Sequence, residues 1–255
     1  MDPKDIVAVV TGGASGLGEA AVRSIVEQGG KAIIADVNAE KGEALSEELN
    51  ESAVFYPLDV TNEEQIKEGL TKAAHHFGYI NALVNCAGIV IAEKVSGKEG
   101  SHRLDSFQKV IEVNLTGTFN MIRLTAEKMI GNQSNEEGER GIIINTASIA
   151  AFDGQIGQAA YSASKGGVAS MTLPISRELA RFGIRVMTIA PGLFETPMFD
   201  VLPAAAKEAL GKSTPFPNRL GQPREYGKLA LSIIENPMLN GEVIRLDGAI
   251  RLQPK

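Results

Sequence analysis

The chain has 255 residues, 44% of them hydrophobic, and a formal net charge of −6. That length suits one large α/β domain with a substantial core, and the acidic balance excludes a general nucleic-acid-binding surface. No apolar run approaches the roughly 20 residues of a membrane span, and a single cysteine, Cys86, excludes an internal disulfide.

Met1-Asp2-Pro3-Lys4-Asp5 carries two acids and leads at once into an apolar run. It has neither the Arg-rich, acid-poor pattern of a transit peptide nor the apolar stretch of a secretory signal, so a cytoplasmic location is expected. Short runs rich in Ile and Val then occupy 6–10, 31–36, 53–58, 82–85, 141–146, 184–190 and 242–246. They lack strict alternation, as strands buried on both faces do. Helical patterns fill 18–28, 39–50, 62–77, 105–130, 157–181 and 225–235 between them. Regular alternation of this kind predicts an α/β fold: a single doubly wound domain over 1–255, with a seven-stranded parallel sheet and helices on both faces.

The first run opens into Thr11-Gly12-Gly13-Ala14-Ser15-Gly16-Leu17-Gly18 and then a helix. Small residues there let the backbone approach a pyrophosphate, and the helix N-terminus supplies amide donors. Asp36 ends the second run, 36 − 18 = 18 residues after Gly18. A carboxylate at that distance can accept both ribose hydroxyls of NAD and repel the 2′-phosphate of NADP. It could equally begin the next helix, and the two roles are compatible. Asp59-Val60 and Asn85-Cys86-Ala87-Gly88 end the third and fourth runs, where a dinucleotide would lie. By themselves they are also ordinary turn residues. Cys86 reads as a small core residue. His75-His76 ends a polar-faced helix, where cations suit the dipole, and no second ligand cluster suggests a metal.

Asn114 falls inside an apolar helical pattern and needs partners. Further on, Ser148 precedes Tyr161 by 161 − 148 = 13 positions, and Lys165 follows it by four, on the same helical face. A neighbouring ammonium would favour phenolate and lower the Tyr161 pKa from about 10, giving a usable general acid or base. Ser148 could donate to an oxygen whose charge changes. Tyr-x-x-x-Lys alone is a weak signal; its place after the Gly-rich loop strengthens it. The stretch 193–222 contains Pro197, Pro203, Pro215 and Pro217 and is too long for an ordinary connection. A substrate lid is expected there, a surface excursion with its own short helix being the plainer alternative. Lys207, Lys212, Arg219 and Arg224 against Glu208 give 203–224 a local charge of +4 − 1 = +3, suited to the phosphates of CoA or simply to solvent. Leu193, Phe194, Met198, Phe199 and Leu202 could instead welcome a steroid or branched chain.

Together Thr11–Gly18, Asp36, Asp59, Asn85–Gly88, Asn114, Ser148, Tyr161-x-x-x-Lys165 and Pro191-Gly192 resemble the short-chain dehydrogenase/reductase family over essentially the whole chain. Segments 141–148, 154–165 and 240–248 are most similar to its members acting on 3-hydroxyacyl-CoA and hydroxysteroids. The resemblance implies a Rossmann domain that binds NAD through Gly12, Ser15, Gly16, Leu17, Gly18, Asp36, Asp59, Val60, Asn85, Ala87, Gly88, Tyr161, Lys165, Pro191 and Thr196. It implies catalysis by Asn114, Ser148, Tyr161 and Lys165, with Asn114 positioning a water and Thr196 meeting the nicotinamide amide. Substrate would be held by Ser148, Gln155 and Tyr161. It further implies oxidation of a (3S)-3-hydroxyacyl thioester or reduction of its ketone, with an acyl-CoA as small-molecule partner and a homotetrameric assembly. A 3-oxoacyl-carrier-protein reductase, commonly NADP-dependent, is the rival enzyme. A catalytically idle NAD-binding scaffold is the rival from another class, disfavoured because Ser148, Tyr161 and Lys165 are all present.

Overall fold

The computed structural model describes residues 1–98, 100–197 and 203–254. Each of the seven apolar runs forms a strand: β1 (Val7–Thr11), β2 (Lys31–Asp36), β3 (Ala53–Pro57), β4 (Ala82–Asn85), β7 (Gly141–Thr146), β8 (Ile184–Pro191) and β9 (Val243–Leu246). The short hairpin of β5 (Ser96–Gly97) and β6 (Gly100–Ser101) lies in the loop after β4. The seven strands are parallel in the order β3-β2-β1-β4-β7-β8-β9. The chain winds outward from β1 to β3 and then returns to start again at β4. A crevice opens between β1 and β4 at the strands' carboxyl ends, where such sheets bind ligands.

Helices cover both faces because successive strand side chains point to opposite sides. Ala8, Val10, Ile34, Val84, Ile144 and Ile189 pack against α1 (Gly16–Glu27) and α8 (Pro223–Glu235). Val7, Val9, Ile33, Leu83, Ile143 and Val186 pack against α3 (Glu63–Phe77) and α5 (Thr118–Ile130). Local chemistry sets the boundaries. Asn38 caps α2 (Ala39–Leu49) and Asn62 caps α3, each accepting an amide three residues on. His75 and His76 occupy the last turn of α3, and Gly78 ends it. The chain does not pass directly from its first residues into β1: Pro3–Asp5 forms a single 3-10 turn, capped by Asp2.

The helical stretch 105–130 departs from expectation. It divides into α4 (Leu104–Ile111), a π-helical turn (Glu112–Gly117) and α5. A side chain on Gly117 would come within 2.6 Å of Val60 Cγ2, so the turn is moulded against the end of the third strand's loop. The extra residue in the turn directs Asn114 inward.

The 193–222 excursion contains the helix α7 (Ala204–Lys212). Its two ends are tied together. Phe194, 5% exposed, bridges to Gly221, and Gly221 N–H donates to the Leu193 carbonyl at 2.8 Å. Met198, Phe199 and Leu202 lie outside the described residues. Among the described residues, no helix is long and apolar enough to cross a membrane.

Candidate active site

β1 ends in Thr11, whose hydroxyl accepts the Cys86 and Ala87 amides at 3.2 Å each. This fastens the Gly-rich loop to the 85–88 turn. Gly12 has φ +62°, and a Cβ on it would lie 2.8 Å from Ala87 N. A Cβ on Gly18 would lie 2.1 Å from the Gly12 carbonyl. At Gly12 and Gly18 the loop therefore has no room for a side chain, and it leads into the N-terminus of α1. The first helical amides there have no intrahelical acceptor. Ser15 occupies the cap position without a capping side-chain bond. A Cβ on Gly16 would sit 3.5 Å from Thr196 Cβ, so Thr196 reaches the same loop from beyond β8. Asp36 faces it from β2: Oδ2 accepts Ala14 N–H at 3.1 Å and Oδ1 accepts Asn38 N–H at 2.9 Å. These residues fit an adenine dinucleotide: a glycine-rich cradle for the pyrophosphate, helix amides, and an acid at the end of the next strand.

Asp59 is half-buried and accepts both the amide and the hydroxyl of Thr61, while Val60 is buried against Gly117. Asn85 donates to Asn145 Oδ1 at 2.9 Å, leaving Asn85 Oδ1 and Asn145 Nδ2 buried without partners. Gly88 abuts the catalytic candidates, since a Cβ on it would lie 3.2 Å from Asn114 Oδ1 and 3.4 Å from Lys165 Nζ. Pro191 ends β8, and Gly192 N–H donates to the Leu246 carbonyl at 2.9 Å.

The hydroxyl and ammonium groups meet across the ends of β7 and α6 (Ala159–Leu179). Ser148 opens a 3-10 turn (Ile149–Ala151), its hydroxyl accepting Ala150 N–H at 3.1 Å. The Tyr161 phenol is its neighbour, close enough for the hydroxyl to favour the phenol's charged form. Lys165 lies one turn below Tyr161 on α6, 4% exposed. Its Nζ is 5.9 Å from the Tyr161 ring centroid and donates to the Thr146 carbonyl at 2.8 Å. Burial pushes the Tyr161 pKa up, and the neighbouring Ser148 hydroxyl only partly offsets it. Burial also pushes the Lys165 ammonium down, to about 8. The phenol is thus raised and not lowered as expected, because both groups are enclosed and the low dielectric disfavours each charged form.

Asn114 is fully buried. It accepts Ile89 N–H at 2.8 Å and donates to the Ile89 carbonyl at 2.9 Å and to Ser164 Oγ at 3.1 Å. Ser164 and Thr146 were not singled out from the sequence. Their only signal is spacing: Ser164 precedes Lys165, and Thr146 ends a strand two residues before Ser148. Cys86 packs beside this cluster with Tyr226 and Thr146, and burial pushes its thiol pKa up, as suits an inert core residue.

The candidates for substrate contact have partners within the protein. Gln155 does not extend freely into the site; its side chain donates to the Gln253 carbonyl at 2.9 Å. Nor is the 203–224 stretch a row of unengaged cations. Arg219 grips Glu225 with two hydrogen bonds, at 2.7 and 2.9 Å, and Lys212 pairs with Glu208 at 2.6 Å. Counting Glu225, the balance is +4 − 2 = +2. A small cavity of about 100 Å³ lies between the roots of the excursion and β9, lined by Leu193, Phe194, Arg219, Gly221, Leu246 and Gly248. It is separate from the Ser148–Tyr161 cluster.

A Gly-rich βα turn with an acid at the next strand's end, joined to a Ser–Tyr–Lys cluster, defines a dinucleotide-dependent dehydrogenase. The short chain dehydrogenase family model matches residues 6–207, and the chain belongs to that family. It is 56% identical over 253 residues to 3-hydroxyacyl-CoA dehydrogenase type-2 of Homo sapiens, covering 98% of this chain and 97% of that protein. It is 36% identical to the 3-oxoacyl-[acyl-carrier-protein] reductase of Thermotoga maritima, over 96% of this chain and 97% of that one. The crystal structure of 3-hydroxyacyl-CoA dehydrogenase type-2 from Mycobacterium avium superimposes with a TM-score of 0.94 at 40% identity, covering 99% and 98% of the two chains. The chain is an NAD-dependent oxidoreductase of this family.

Proposed function

We propose that the chain interconverts (3S)-3-hydroxyacyl-CoA and 3-oxoacyl-CoA, with Tyr161 as acid/base. The observation that carries the chemistry is Lys165 Nζ placed 5.9 Å from the Tyr161 ring and against Gly88 of the 85–88 turn, with Ser148 neighbouring the phenol. When bound, NAD supplies the hydride acceptor. In oxidation Tyr161 takes the proton of the substrate hydroxyl; in reduction it returns it. Ser148 donates to the substrate oxygen. Lys165 favours the phenolate and holds ribose hydroxyls. Asn114 keeps the 88–89 turn and Ser164 in register beneath Lys165 and positions a water beside its ammonium. Gly12, Ser15, Gly16, Leu17 and Gly18 hold the pyrophosphate, with Asp36 on the adenosine ribose and Asp59 and Val60 at the adenine. Asn85, Ala87, Gly88, Pro191 and Thr196 line the nicotinamide half.

The acyl-CoA assignment draws on the likeness to the type-2 dehydrogenases, which exceeds that to the carrier-protein reductase. The whole chain, 1–255, acts as one dinucleotide-binding and catalytic domain, with 193–222 as its substrate lid. A homotetramer in the cytoplasm completes the reading. The test is a panel of (3S)-3-hydroxyacyl-CoA esters, the same acids without CoA, and a hydroxysteroid, each assayed with NAD and with NADP. The CoA esters with NAD should give the highest kcat/KM. Equal rates with free acid and ester, or preference for the steroid, would reject the acyl-CoA substrate while leaving the dehydrogenase chemistry in place.

A further inference from the structure

The turn that carries Ser148 is not held by its own helix alone. It continues into Phe152 and Asp153, and both are gripped from the far edge of the sheet by Arg245. The guanidinium lies 5.4 Å from the Phe152 ring centroid. Its Nη2 donates to Asp153 Oδ2 at 2.5 Å and to the Ile250 carbonyl at 3.1 Å, while Nε donates to Asp247 Oδ2 at 2.7 Å. Arg251 adds a second cation to Asp247 at 3.2 Å. Asp247 in turn abuts the Pro191-Gly192 turn, since a Cβ on Gly192 would lie 2.9 Å from Asp247 Cα. Beyond Asp247 the chain runs alongside the same loop: Gln155 donates to the Gln253 carbonyl, and Ile156 N–H to the Pro254 carbonyl at 3.0 Å.

One side chain thus couples three segments: the turn carrying Ser148, the turn after β8, and the chain's last residues. Arg245 is 21% exposed and Asp153 17%, so the pair is partly shielded from solvent. A planar guanidinium that bonds two carboxylates from different nitrogens beside a ring fixes direction as well as distance. The loop it holds has little freedom of its own. A Cβ on Gly154 would lie 2.3 Å from Ser162 Oγ, so the loop rests directly on the residue after Tyr161.

We propose that Arg245 is a positioning residue: through Asp153 and Phe152 it sets Ser148 and Tyr161 at their working separation. This rests on the roles proposed above for that pair. A small misplacement of reacting groups costs up to about a hundredfold in rate. The test compares Arg245→Gln, Arg245→Lys, Asp153→Asn and the Arg245→Gln/Asp153→Asn double variant in the full chain. Amide exchange is measured without substrate, and turnover with the best substrate of the panel.

In Arg245→Gln, exchange should rise across 149–158 while 11–18 keeps its protection. NAD affinity should stay within about twofold while kcat falls about tenfold. Arg245→Lys should recover part of kcat, and the double variant should lose no more than either single change. Unchanged exchange in 149–158, uniformly raised exchange throughout, or additive losses would overturn the positioning role. Exchange needs no substrate, so a wild type inactive on every acyl-CoA would reject the substrate assignment and still leave Arg245 tested.

Discussion

Lys165 is an ammonium that the fold pays for, 4% exposed with its pKa brought down to about 8 from 10.5. The consequence for stability has a definite sign. Below pH 8 both folded and unfolded chains carry the proton, and the full cost of burying it is present. Between about 8 and 10.5 the folded chain releases the proton that the unfolded chain keeps, so stability rises with pH through that window. Lys165→Met should therefore gain stability relative to wild type at neutral pH, by at most about 3 kcal/mol. The advantage should shrink as pH rises through the window, in paired thermal melts. A difference independent of pH would mean that the ammonium is not the group being relieved. Asp36 gives the second residue-scale prediction. Val37 beside it is 72% exposed, so an arginine has room there. Asp36→Ala with Val37→Arg should move the NAD-to-NADP ratio of kcat/KM by about tenfold or more towards NADP, since the repelling carboxylate goes and a phosphate partner arrives. Loss of activity with both cofactors in equal measure would point instead to collapse of the Ala14 contact. At this scale the Tyr161–Lys165 pairing was legible from helix periodicity, and Ser148 and Asp36 from their places after a strand and at a strand's end. The Arg219–Glu225 pair was not legible, because Glu225 lies just past the stretch whose charge was counted. The Gln155 contact with Gln253 was not legible, because the two lie 98 residues apart.

At the scale of elements, the Gly-rich loop works by closing against the 85–88 turn. Gly12→Ala puts a methyl 2.8 Å from Ala87 N at a positive φ. It should weaken NADH binding by about tenfold or more, measured by fluorescence titration, with the circular dichroism of the fold retained. Native affinity in this variant would show that the loop has slack that the packing denies. The break in the long helix was not legible. Asn114 reads as a polar residue in an apolar pattern, yet its π-helical turn depends on Val60, Ile89 and Ser164, distant in sequence. Strands were legible for the opposite reason: their Ile/Val runs act through neighbours a few residues away, whereas the cap of α2 falls at Asn38 and not at Asp36. The excursion's closure by Phe194 and Gly221 pairs residues 27 positions apart and left no local signal.

For the whole molecule, seven parallel strands in a β3-β2-β1-β4-β7-β8-β9 order bring Thr11, Asp36, Asn85, Ser148 and Pro191 to one edge of the sheet. Alternation of strand and helix implies that arrangement, because right-handed crossovers leave few topologies open. What alternation does not convey is electrostatic environment. The same burial that assembles Tyr161 and Lys165 opposes their charged forms, so oxidation should accelerate as pH rises towards the elevated phenol pKa. The most direct measurement of the central claim is the turnover of Tyr161→Phe set beside its NADH affinity. If Tyr161 is the acid/base, kcat falls about a hundredfold or more while NADH binds nearly as in wild type. Near-native turnover in the folded variant would contradict it.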